Sequence, residues 1–171
     1  MPSPIIYNDA PSYCHPFFDL VKGDDLLLAL RESGDATRKL FESIPEPRAK
    51  FTYAEGKWTI ADVLQHIIDC ERVYAYRAFR FSRFDTTPLE GFSEDDYIRN
   101  SSKTTPYLTA LLDEFLAIRR STILLYEPMS DEMLDFAGTA NGHRFTARSL
   151  GFMAAGHNLH HLSTIRERYL K

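Results

Sequence analysis

The sequence predicts an all-α protein, a four-helix bundle, and three observations carry that expectation. Four long segments place apolar residues at helical spacing, capping residues or prolines punctuate their ends, and no convincing series of strands appears between them.

Residues 1–22 hold Pro2, Pro4, Pro11 and Pro16 among aromatics and read as an extended arm. Tyr7, Tyr13, Phe17 and Phe18 make it too apolar for a free tail, so it is expected to lie against the body. Asp24 or Asp25 opens the first helix, with Leu26, Leu27, Leu30, Leu40, Phe41 and Ile44 as its apolar positions. Gly34 weakens its middle by about 1 kcal/mol relative to Ala, and Pro45 and Pro47 stop it. Thr59 followed by Asp62 is a capping arrangement for a second helix that runs to about Phe84. A polar connection with Pro88, Gly91 and the acidic stretch Ser93 to Tyr97 follows.

Thr105 and Pro106 make an N-cap and first-turn pair for a third helix through Leu108, Leu111, Leu112, Phe115, Ile118 and Leu125, ending before Pro128. Ser130 to Leu134 fits a single turn. Phe136 to Phe145, with Gly138 and Asn141-Gly142, fits a loop or small hairpin. Thr146 caps the fourth helix, which continues nearly to the end of the chain. The connections from helix two to three and from three to four are long, and no internal repeat is visible.

With 171 residues the chain has the size of a single domain with a proper core. Its 20 Lys and Arg against 24 Asp and Glu give a net charge of −4 with no basic block, which argues against nucleic acid as a partner. No apolar run approaches the length that spans a bilayer, and the N-terminal residues lack the pattern of a secretory signal, so a cytoplasmic protein is expected. Cys14 and Cys70 are the only cysteines and read as free thiols, with no C-x-x-C pair.

Three of the six histidines fall in Gly156-His157-Asn158-Leu159-His160-His161. His157 and His161 stand one turn apart and leave the same helical face. That face continues through Leu150, Ala154 and Ile165, so both imidazoles point where core residues belong. On helix two, His66 shares its face with Val63, Cys70 and Val73, with Asp62 and Asp69 at the edges. A buried imidazole needs a hydrogen-bond partner or a metal to offset desolvation. Alone, His66 reads as a core histidine and the pair as an even case; together, on two core-facing stripes, the three point to a metal site. Three protein ligands with an open position are the arrangement of a catalytic metal site rather than a structural one.

His160 lies about 100° round the helix from His161 and reads as a neighbour of the ligands or an interface residue. Asn158 and Asp62 are the other candidates for that neighbouring role. His15 and His143 fall in predicted loops and read as solvated. H-E-x-x-H chemistry is excluded because position 158 is Asn, a poor base. No Glu precedes His66, His157 or His161 by three residues, so a mononuclear site follows more naturally than a dinuclear one. All-histidine ligation suits Zn²⁺, Ni²⁺ or Fe²⁺. Trp58 reads as a core anchor, and Arg72, Arg77, Arg80 and Arg83 as a solvated, salt-bridged face.

These residues resemble the DinB/YfiT-like family of metal-dependent four-helix bundles, which carry one histidine on helix two and an H-x-x-x-H pair on helix four. Lys57 to His66 is similar to the helix-two signature and Gly156 to Leu162 to the helix-four signature. The likeness extends to Gly23 to Leu27 and Pro88 to Tyr97 and so covers nearly the whole chain. It implies His66, His157 and His161 as the metal ligands. Relatives often carry Glu where this chain has Asn158, which puts a carboxylate-assisted step there in doubt. Activities in the superfamily include thiol-dependent transfer and isomerisation, so the resemblance implies a small thiol and an electrophile as partners. The corresponding expectation is a metal-dependent S-transferase, with metal-dependent hydrolysis as a variant; the competing one is a non-catalytic metal-binding or ligand-binding bundle. A homodimer is also expected, from the resemblance and from the aromatic arm.

Overall fold

The long helices start where the chain supplies an oxygen for their first free amides. The structure, a computed structural model, describes residues 4–101 and 107–171. After two short turns at Pro4–Tyr7 and Ser12–Cys14, the helices are α1 (His15–Phe18), α2 (Leu26–Glu42), α3 (Ile60–Phe81), α4 (Glu94–Asn100), α5 (Leu108–Tyr126), α6 (Asp131–Asp135) and α7 (Ala147–Thr164). Asp25 accepts from the Leu28 amide at the head of α2. Thr59 with Asp62, and Thr146 with Ser149, form reciprocal capping boxes on α3 and α7. The predicted Thr105-Pro106 pair lies outside the described residues. The first amide of α5, that of Leu108, donates to Glu46 from the α2–α3 connection at 2.8 Å, a carboxylate placed where the helix dipole favours it.

α3 ends at Phe81, a turn earlier than expected, because Phe84 adopts a left-handed backbone (φ 59°) that no helix continues through. The segment after α6 is a hairpin, β1 (Ala137–Ala140) against β2 (His143–Thr146), with Ala140 opposite His143. Asn141 and Gly142 both take positive φ, 51° and 73°, as a two-residue hairpin turn demands. Leu89, in the α3–α4 connection, exchanges backbone hydrogen bonds with Thr139 and Asn141, tying that connection to the hairpin. The N-terminal arm differs from the extended form expected. Proline pre-sets φ for a helical turn, and the arm winds through Pro4–Tyr7, Ser12–Cys14 and α1, burying Ile6, Cys14 and Phe18 against the body.

α2 packs on α5 and α7, and α3 packs on the same two helices. The first two long helices therefore sit on one diagonal of the bundle and the last two on the other. An up-and-down bundle with short loops makes consecutive helices neighbours instead. Two apolar clusters fill the interior. Between them each long helix contributes buried polar side chains: Ser33 and Thr37 from α2, Glu71 from α3, Arg119 and Thr122 from α5, His157 and Asn158 from α7. This polar layer positions the site.

Candidate metal centre

His66 sits in the middle of α3, 3% exposed, and His157 in the middle of α7, 4% exposed. Because α3 and α7 are neighbours, the ring nitrogens meet: His66 Nε2 lies 3.0 Å from His157 Nε2, and His161 Nε2 lies 3.0 Å from the same atom. All three candidate ligand nitrogens fall within 4.8 Å of one another. Burial pushes the pKa of His66 down to about 4 and that of His161 to about 3; it holds His157 well below the ordinary value, with His161 and His66 adding to the effect. The three rings are thus neutral.

Neutral imidazoles carry one N–H and one lone pair each. The single Nε2 of His157 faces two other ring nitrogens and cannot satisfy both. A divalent ion accepts three lone pairs at once, so the donor set fits one. Tetrahedral ligation at 2.0–2.1 Å would set nitrogens about 3.3 Å apart, close to the spacings found. Cys70 Sγ, 3.6 Å from His66 Nδ1, stands behind that ring.

The triad borders a pocket of about 490 Å³, a size that suits a small molecule. Phe17, Phe92, Phe145 and Met153 supply apolar wall. Gly156 permits this construction. A Cβ there would collide with the Phe17 carbonyl, so only glycine lets α1 approach α7 closely enough to set the Phe17 ring 5.7 Å from that of His157 and 5.3 Å from that of His160.

The residues expected beside the ligands divide. His160 is exposed, off the core-facing stripe, and its ring lines the pocket 5.2 Å from that of His161. Asp62 is committed to the α3 cap, where Oδ2 accepts from the Thr59 amide and hydroxyl. Asn158 faces the opposite side. Oriented by its partners, its amide oxygen accepts from Arg119 Nη2 at 2.7 Å and its nitrogen donates to the Ala154 carbonyl. Neither Asp62 nor Asn158 borders the pocket.

Arg119 is the keystone behind the site. Nε and Nη2 donate to Glu71 at 2.7 and 2.8 Å, and Nη1 donates to the Leu30 carbonyl and the Ser33 hydroxyl. With Asn158 added, all five guanidinium N–H groups have acceptors. Gly34 makes room: a Cβ would press on the Arg119 side chain at 3.2 Å. The signal was present in the sequence, because Arg119 occupies the stripe Leu112, Phe115, Arg119, Thr122, Tyr126 where an apolar residue belongs.

Trp58, Arg77 and Glu94 are among the other residues that line the pocket. Trp58, read as a core anchor, is half-buried with its ring 4.8 Å from that of His66. Arg77, read as part of a solvated face, is 6% exposed. Glu94 is an exposed residue, yet its Oε1 lies 4.0 Å from Cys70 Sγ at the pocket edge, where partial burial of the carboxyl, then Asp95, raises its pKa. His15, expected in solvent, is half-buried and bonded to the Tyr7 carbonyl at 3.0 Å, whereas His143 is exposed at the start of β2.

A sequence profile described as the DinB superfamily matches residues 29–165, from the first turn of α2 to the end of α7. The chain belongs to the DinB superfamily. The match takes in all four long helices and all three histidines. Among solved structures, one similar to this member is YfiT from Bacillus subtilis, described as a probable metal-dependent hydrolase with an unusual four-helix bundle topology. The two share 18% identity at a TM-score of 0.73, over 83% of this chain and 82% of that one. At that identity the likeness establishes the fold alone. A comparison with curated proteins finds no match. Among the described residues, no helix is long and apolar enough to cross a membrane.

Proposed function

We propose that this DinB-superfamily chain is a metal-dependent enzyme in which His66, His157 and His161 hold one divalent ion, of the zinc, nickel or iron kind, and that it transfers a small thiol to an electrophile. The observation that carries this reading is the meeting of three imidazole nitrogens, two of them buried and that of His161 half-buried, at the wall of a small-molecule pocket. A divalent ion supplies Lewis acidity, lowering the pKa of a thiol or water that binds beside it.

The chain's own residues account for the rest. Burial raises the Cys14 thiol to about 12 and pushes Cys70 up as well, which disfavours both as nucleophiles and supports a sulfur nucleophile from outside. In the transfer the S–H bond breaks, an S–C bond forms at the electrophilic carbon, and the leaving group departs with its electron pair. His160 and Glu94, both bordering the pocket, are the side chains available to take up the thiol proton. If water takes the thiol's place, the same arrangement hydrolyses the electrophile, in keeping with the description of YfiT.

The test uses purified protein with stoichiometric metal. Small thiols paired with alkyl and aryl electrophiles should be consumed one for one, and chelation should abolish the turnover. No turnover of any thiol, electrophile or ester in a broad panel by fully loaded protein would overturn the enzyme reading and leave a ligand-binding bundle.

A further inference from the structure

Two arginines are buried in this bundle, and they are treated in opposite ways. Arg119 has every N–H group matched to an acceptor, Glu71 supplying the counter-charge. Arg77, 6% exposed, has one hydrogen bond among the described residues: Nη2 donates to the Glu90 carbonyl at 2.9 Å. Among the described residues no carboxylate lies within 4.0 Å of it. The segments 1–3 and 102–106 contain neither Asp nor Glu. A guanidinium drawn largely out of bulk water without a paired anion is costly, and Arg77 lines the pocket.

We propose that Arg77 is the anion-binding residue of the pocket, and that the molecule this site accepts carries a carboxylate. The guanidinium fork matches a carboxylate with two parallel N–H···O bonds, which a neutral amide cannot reproduce. The Phe92 ring, 5.7 Å from the guanidinium carbon, together with Phe17, Phe145 and Met153 in the same wall, suits an apolar or aromatic body attached to that carboxylate. The other end of such a molecule then lies toward the three histidines. This rests on the proposed function only in taking the pocket as the substrate site. Glu94, in the same wall, selects against a second negative charge, so a monocarboxylate is the class that fits.

Trp58 is the single tryptophan and borders the same pocket, so its fluorescence reports binding. The probes are 3-phenylpropionate and its neutral amide, titrated into metal-loaded and metal-free protein. Wild type should bind the acid roughly 10–100-fold more tightly than the amide, the usual worth of hydrogen bonds to a charged group, in both forms. Arg77→Gln should bind the two alike and keep its metal content. Equal binding of acid and amide by wild type, or a preference that survives in Arg77→Gln, overturns the proposal. A preference confined to metal-loaded protein also overturns it, because the carboxylate is then on the ion. Should Arg77→Gln fail to fold, Arg77→Lys decides: the acid must weaken by about threefold or more while the amide is unchanged, and unchanged acid binding overturns the assignment. Wild type that takes up no divalent ion would sink the proposed function, while the metal-free titration would still read Arg77.

Discussion

Replacing Glu71 by Gln removes one charge and keeps the shape. Glu71 and Arg119 are 1% and 3% exposed, and the pair carries two charge-assisted hydrogen bonds. Removing one partner of a buried ion pair is destabilising by about 3–5 kcal/mol, because the other charge stays in a low-dielectric interior. Glutamine can still accept one of the two bonds, and Leu30, Ser33 and Asn158 still hold the guanidinium, so the low end applies: about 3 kcal/mol. With a urea m-value of about 2 kcal/mol per molar, the unfolding midpoint should fall by about 1.5 M. Far-UV circular dichroism of metal-free protein in urea measures it, since bound metal would mask the loss through mass action. A matched apolar pair, Glu71→Leu with Arg119→Met, should lose less than the sum of the two single replacements, with a coupling of about 3 kcal/mol in the double-mutant cycle, although Ser33 and Asn158 lose their partner. A loss below about 1 kcal/mol in Glu71→Gln, the range of an exposed pair, or a coupling near zero, would mean that the charges are not paired in a dry interior.

His161→Ala should abolish metal binding, whereas His160→Ala should retain the ion or weaken it by roughly 10–100-fold, as for a residue supporting the ligands; metal analysis of both purified variants decides, and the reverse pattern would refute the ligand set. Gly156→Ala gains about 1 kcal/mol of helix propensity but forces α1 off α7, so a net loss of about 1–3 kcal/mol is expected, and unchanged stability in urea would show that the Phe17 carbonyl does not press there. Gly34→Ala should also fail to stabilise, because Arg119 is held at five points and cannot give way; a gain near 1 kcal/mol would refute that. A homodimer would scatter light as twice the 19.7 kDa chain, and a mass near one chain over a wide concentration range rules it out.

The helix starts at Asp25, Thr59 and Thr146 were legible because capping is local: an oxygen three residues from an amide needs nothing else. His157 and His161 were legible for the same reason, their common face following from spacing alone. Arg77 was not. Nothing in the order Arg72, Arg77, Arg80, Arg83 separates a buried guanidinium from exposed ones, because the cover over Arg77 comes from Glu90 and Phe92 in a connection that no periodicity describes. Trp58 and Glu94 escaped likewise, since both reach the pocket from the ends of connections. Asn158 was misplaced by sequence adjacency. A step of one residue rotates a helical side chain about 100°, enough to turn it from the histidine side to Arg119.

The polar layer across the middle of the bundle also acts as a vernier. Apolar side chains tolerate sliding, since one leucine contact resembles the next. A slip of α5 along α3 by one turn, about 5.4 Å, would carry the Arg119 guanidinium away from Glu71, Leu30, Ser33 and Asn158 together and strand two charges among hydrocarbon. The same slip of α7 would part His157 from His66, 91 positions earlier in the chain. Misaligned packings are therefore penalised at one level of the bundle, and the alignment that satisfies the ions is the one that brings the three imidazoles to a point.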